Sequence, residues 1–249
     1  MTPRVAYELD VEGCFNVRDA GGWDTTGGPP MREGVLFRGD EALRMTPAGQ
    51  AVIDGLNLQA VIDLRSRIHF ERGRGFGDPS ITHHVPVVDR VIVTADHRPV
   101  DTPADIALLY DGMVDFRRAN LVRAIELIAD HTARGPVLVH CMAGKDRTGI
   151  VVALVQAAIG VPLESIVDEY ARSDAPSRLR RAAMVADPRP GDPAVVTSSP
   201  FIWTAPAEAM RLFAVQAIER HGSLEAWPRA LGVTAAHVTR LRQHLLLPG

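Results

Sequence analysis

The stretch from residue 137 to 159 limits what this chain can fold into more than any other. Residues 137–140 are an apolar run of strand length, a turn containing Gly144 follows, and residues 148–159 are apolar nearly all round. A strand without polar alternation is covered on both faces, and a helix without a polar face is buried. A mainly parallel sheet flanked by helices satisfies both conditions. Gly160 and Pro162 mark the end of the helix.

The remaining patterning agrees with an α/β architecture. Strands are predicted at residues 34–38, 58–64 and 81–88, and helices at 47–56, 119–131, 164–172, 177–184, 208–220, 224–230 and 235–246. Thr46 precedes Pro47 as an N-cap before a first-turn proline, and Ser223 and Thr234 are further caps. Residues 91–113 and 186–206 lack the pattern, hold several prolines, and are read as loops or an insertion. No repeat and no linker divides the chain, so residues 1–249 are read as one domain.

Composition narrows the function. With 46% hydrophobic and 23% charged residues the chain is of ordinary globular type, and a net charge of −3 offers no field for nucleic acid. Two cysteines, Cys14 and Cys141, are too few for a disulfide framework. His83 and His84 have no matching carboxylate or cysteine cluster in the sequence, so neither a metal nor another cofactor is expected. Residues 149–161 are too short to span a bilayer, which takes about 20 residues. The first ten residues lack the apolar core of a signal peptide, which predicts a cytoplasmic protein without stable membrane insertion. No sequence feature specifies an oligomeric state.

The chemistry lies in residues 140–149, HCMAGKDRTG. A cysteine at a strand end, facing a helix N-terminus, feels unpaired amides and the positive end of the helix dipole. Such placement lowers a thiol pKa from about 8.5 into the range of roughly 3.5–7.5. Met142, Ala143, Gly144, Lys145, Asp146 and Arg147 can curl their N–H groups around an anion. Arg147 can grip two phosphate oxygens with its planar fork. Thr148 can hydrogen-bond the thiolate and help it leave. Among 27 basic residues Lys145 is the sole lysine, which leaves two readings: a compact cation for a multiply charged headgroup, or a partner that balances Asp146.

This signature resembles that of the cysteine-dependent protein tyrosine and dual-specificity phosphatases. It is most similar to a bacterial branch of atypical tyrosine phosphatases with HCxxGKDRTG. Residues 15–22 (FNVRDAGG) resemble that branch's N-x-R-D-x-G-G, and residues 36–49 resemble its arginine block, with Arg38-Gly39 where Arg-Ser is usual. Residues 61–66 with Glu71 resemble its D-L-R-S…E strand, and residues 222–234 its closing helices. The resemblance implies that Cys141 is the nucleophile, Arg147 the transition-state clamp and His140 the residue that orients the loop. It implies a general acid that is either Asp146, inside the cradle, or Asp89, on a separate loop; Asp146 is preferred. It further implies that residues 91–113 and 186–206 form lids over the site, and that some relatives are exported without an obvious signal peptide.

The expected function is therefore metal-independent hydrolysis of phosphomonoesters through a cysteinyl-phosphate. A phosphotyrosine protein is the expected substrate, with tolerance for phosphoserine, phosphothreonine or phosphoinositides. The rivals are a phosphoinositide or inositol phosphate phosphatase and, in another class, a phosphate-binding scaffold that has lost catalysis. Arg178, Arg180 and Arg181 read as a solvated helix face that could flank an anionic substrate, and Cys14 as buried and inert.

Overall fold

A computed structural model describes residues 8–73, 75–87, 100–188 and 200–248. Five strands, β1 (Arg18–Asp19), β2 (Leu36–Gly39), β3 (Ala60–Asp63), β4 (Thr82–His84) and β5 (Val137–His140), form one sheet. Its order is β1-β2-β5-β3-β4, antiparallel only between β1 and β2. The expected α/β class with a mainly parallel sheet is what is found. The central strand β5 is fully buried, as its unbroken apolar run requires.

Register sets the position of the site. Gly39 and Asp63 both pair with His140, so three parallel strands end level with one another. The residues that follow, Asp40-Glu41, Leu64-Arg65 and Cys141, emerge together at the carboxyl edge. In open parallel sheets this is the edge where ligands bind.

Helices α1 (Pro47–Gly55), α2 (Arg67–Glu71) and α3 (Pro103–His131) precede β5 in sequence. After it come α4 (Asp146–Ile159), α5 (Leu163–Ala171), α6 (Asp174–Ala186), α7 (Ala207–His221), α8 (Ala226–Leu231) and α9 (Ala235–Leu245). The larger apolar cluster joins α3, α4, α5, α7 and α9 to one face of the sheet. A smaller one, with Val17, Phe37, Ile53, Val61, Phe76 and Leu138, covers the other. Helix α4 is buried on all sides, from Thr148 to Ile159, and ends at Gly160 with φ +93°. Thr46 caps α1 through the Gly49 N–H, and Thr234 caps α9 through the His237 N–H.

Two expectations change. Residues 103–113, read as loop, are the first half of α3, which Thr102 and Asp105 open with a capping box. Ile106, Leu109, Tyr110, Met113 and Val114 repeat at helical spacing and are buried. The prolines and acids just before them mask that period. A break at Arg117 (φ −128°) then divides the helix. The strand expected at 81–88 is only Thr82–His84, although the Val85 and Val87 N–H groups still bond to Asp63 O and Leu64 O. Asp89, and residues 91–99 and 189–199 of the stretches read as lids, lie outside the described residues.

Candidate active site

The turn from Cys141 to Arg147 links β5 to α4. Its outer side is tied down carbonyl by carbonyl. His140 Nδ1 lies 3.3 Å from Cys141 O, and the Glu41 N–H donates to Met142 O at 3.1 Å. Asn16 Nδ2 donates to Ala143 O at 2.9 Å, and the Arg38 guanidinium donates to Gly144 O. Lys145 O accepts the Gly149 N–H at 2.8 Å. Among the described residues, none of the N–H groups of Met142 to Arg147 has an acceptor. Carbonyls held outward and amides left unpaired make a concave ring of donors, the form that binds tetrahedral anions.

Gly144 is what lets the turn close. Its φ is +65°, and a Cβ there would lie 2.6 Å from Gly39 O. Cys141 sits buried where β5 meets this ring. Arg147, the second residue of α4, donates one N–H to Leu64 O at 3.4 Å. Thr148 Oγ1 is buried without a hydrogen-bond partner among the described residues, in the first turn beyond the ring. No hydrogen bond from it to Cys141 is present in this geometry.

A buried ionic frame stands behind the turn. Arg18 and Arg38 both bond to Glu169, and Arg18 also reaches Asn16 and Ser173. Burial and the neighbouring Arg38 charge pull Arg18 down to about 10, against the attraction of Glu169. Burial would raise the Glu169 carboxyl, but the two arginines outweigh it and hold it below its ordinary value. On the opposite side His140 Nε2 lies 3.4 Å from Asp63 Oδ2, close enough for attraction but misaligned for a full hydrogen bond. Asp63 also takes Arg65, at 2.7 Å.

Lys145 points away from the ring. It is 1% exposed, and its Nζ donates to Ile202 O at 2.6 Å and Thr204 O at 2.8 Å and sits 3.2 Å from Asp146 Oδ1. Of the two readings open in the sequence, this geometry favours the partner of Asp146. Asp146 opens α4 with its side chain one quarter exposed (25%) and accepts the Tyr110 hydroxyl at 2.7 Å.

The basic cluster on α6 is corrected. Arg178 is exposed and pairs with Asp174, but Arg180 is 4% exposed and bonds to Asp40, at 3.1 Å, and to Glu41. Two helical positions separate a solvated face from a buried ion pair, and sequence spacing does not show which. Cys14 is half-buried, and burial with the Asp40 charge pushes its thiol well up. His84 stacks on Phe70 at 4.1 Å and contacts Arg65 O. Asn16, Arg18 and Arg38 appear in the sequence only as parts of a resemblance, and Tyr110, Tyr170 and Glu169 carry no local signal at all. Their contacts bridge distant segments, so no spacing could reveal them.

A strand-end cysteine, unpaired amides and an arginine at the helix start make a turn of the kind suited to a bound anion. A profile of the tyrosine phosphatase family matches residues 9–247, and the chain belongs to that family. It is 33% identical to the triple specificity protein phosphatase PtpB of Mycobacterium tuberculosis, over 95% of this chain and 98% of that protein. A Cupriavidus necator protein with the provisional name of tyrosine-protein phosphatase is 31% identical, over 68% of this chain and 63% of its own. A tyrosine-protein phosphatase of Nostoc commune is 32% identical over 45% of this chain and 39% of its own.

Proposed function

We propose that this member of the tyrosine phosphatase family hydrolyses phosphotyrosine on proteins through a cysteinyl-phosphate on Cys141. The observation that carries this reading is the Cys141–Arg147 turn, its carbonyls bonded outward and its amides free for a phosphoryl group. The amides and Arg147 neutralise the three non-bridging oxygens, whose charge must be held as the phosphoryl group moves. The Cys141 sulfur forms the new bond to phosphorus while the P–O bond to the tyrosyl oxygen breaks. Asp146 protonates that leaving oxygen. Water then attacks phosphorus, the P–S bond breaks, the sulfur leaves as thiolate, and Asp146 accepts the proton of the water.

Asp146 is favoured as the acid because it is the carboxyl beside Arg147, partly open to solvent, on an element that need not move. Asp89 stands as the alternative. Asparagine variants of each, assayed with a poor and an activated leaving group, separate them: loss of the true acid harms the poor leaving group far more. The name of the mycobacterial relative, a triple specificity protein phosphatase, supports a tolerance wider than phosphotyrosine; phosphoserine, phosphothreonine and phosphoinositides are the candidates to test. A cytoplasmic location fits the sequence; among the described residues no helix is long and apolar enough to cross a membrane.

Cys141→Ser tests the core of the reading. The serine hydroxyl keeps the ring intact and removes the nucleophile. A phosphotyrosine peptide is expected to bind with nearly unchanged affinity and to turn over at background rate. Appreciable hydrolysis by the variant would reject covalent catalysis.

A further inference from the structure

Asp146 is approached by two tyrosines that the reaction scheme above leaves without a role. Tyr110 from α3 donates its hydroxyl to Asp146 Oδ1 at 2.7 Å, and Tyr170 from α5 lies 2.8 Å behind it, oxygen to oxygen. Both rings are buried. Three helices thus converge on one carboxyl at the start of α4.

The pair is held firmly. The rings of Tyr110 and Tyr170 meet edge to face at 6.1 Å, Tyr110 meets Phe213 at 5.6 Å, and Phe213 meets Trp227 at 5.0 Å. This aromatic row runs from α8 to the site through α7 and α3. Gly149 leaves room for Tyr170: a Cβ there would come within 3.1 Å of its ring. Burial, then the Asp146 charge and Tyr170, push the Tyr110 phenol well above its ordinary value, so it remains a donor. With Tyr110 donating to Asp146, the hydrogen between the two phenols belongs to Tyr170 and points at Tyr110.

We propose that Tyr110, backed by Tyr170, is a positioning residue for the general acid: it holds Asp146 Oδ1 so that the transferable proton resides on Oδ2. This rests on the reading of Asp146 as the acid. Lys145 Nζ, 3.2 Å away, holds the same oxygen, and among the described residues Oδ2 has no donor. When Oδ2 releases its proton to the tyrosyl oxygen as the P–O bond breaks, negative charge develops on the Asp146 carboxylate. The Tyr110 bond strengthens at that moment, because a hydrogen bond to an ionised acceptor is stronger than one to a neutral acceptor. The Tyr110 O–H bond itself stays intact. In the second step the carboxylate takes a proton from water and the bond relaxes. Tyr170 polarises Tyr110 in the same direction.

The test compares Tyr110→Phe, Asp146→Asn and the double variant on phenyl phosphate and on nitrophenyl phosphate, with inorganic phosphate as competitive inhibitor. Phenylalanine preserves the ring packing. Tyr110→Phe is expected to lose about tenfold in kcat/KM on phenyl phosphate, to change little on nitrophenyl phosphate, and to leave phosphate inhibition unaltered. In the Asp146→Asn background it is expected to add nothing. Equal losses on both substrates, or the same loss in the Asp146→Asn background, would make Tyr110 a packing residue and overturn the proposal. If Asp146→Asn itself shows no leaving-group selectivity, the acid reading fails and the proposal with it. Tyr170→Phe, which keeps the Tyr110–Asp146 bond, is expected to show the same selectivity at smaller size. If Tyr110→Phe does not fold, that variant decides alone, and equal losses on the two substrates again overturn the proposal.

Discussion

At the scale of single residues, Lys145 shows best how burial redirects a charge. Its ammonium bonds to two backbone carbonyls and one carboxylate, so little of it remains to meet a second phosphate. Lys145→Ala is therefore expected to change the KM for phosphotyrosine and for phosphoinositide substrates by equal factors and to lower the melting temperature. The Ile202 and Thr204 carbonyls are left unpaired, at about 1–3 kcal/mol each. A selective rise in KM for the inositol lipid would contradict the geometry. Asp63 gives the pH dependence. Burial alone would raise its carboxyl, but His140 and Arg65 outweigh burial and hold it well below the carboxylate range. The unfolded chain therefore takes up this proton first, so the Asp63 contacts stabilise the fold above about pH 4, and the gain fades as pH falls toward the folded value. Urea midpoints of the native protein are expected to fall through this range more steeply than those of Asp63→Asn. Parallel curves would show that Asp63 is not the group responsible.

At the scale of elements, the turn between β5 and α4 depends on one glycine. A Cβ at Gly144 would meet both a left-handed φ and the Gly39 carbonyl. Gly144→Ala is expected to cost about 1–3 kcal/mol of stability and at least about a hundredfold in kcat/KM, measured by urea denaturation and steady-state kinetics. Activity near that of the native protein would mean the ring tolerates another path. Legibility in the sequence differs element by element for physical reasons. Strand β5 and helix α4 could be read because both are buried on every side, and their unbroken apolar runs say so. The loop was readable because Gly144 and Arg147 lie within a few residues of Cys141. The first half of α3 was not, since its apolar repeat follows a polar, proline-containing lead. Arg180 was not, since an arginine facing Asp40 across 140 residues looks the same in sequence as one facing water. For the same reason Glu169 and the two tyrosines could only be found in three dimensions.

At the scale of the whole molecule, strand register brings the site together. Gly39, Asp63 and His140 end level, and the segments beyond them supply the frame, the arginine contacts and the cysteine. In the mechanism proposed above, the charge needed for phosphoryl transfer comes from Arg147 and backbone amides. Turnover is therefore expected to survive EDTA without loss, and to fall on brief exposure to peroxide and recover with dithiothreitol, as a thiolate nucleophile requires. Loss of activity on chelation with recovery on added zinc would replace this mechanism with a metal-assisted one.

The most direct measurement is to trap the intermediate. The native protein is mixed with a phosphotyrosine peptide, quenched in acid during turnover, digested and analysed by mass spectrometry. The expected result is one phosphoryl group on the peptide that contains Cys141, absent from the Cys141→Ser variant. A phosphoryl group found on another residue during turnover, or an equal yield from the Cys141→Ser variant, would contradict Cys141 as the nucleophile.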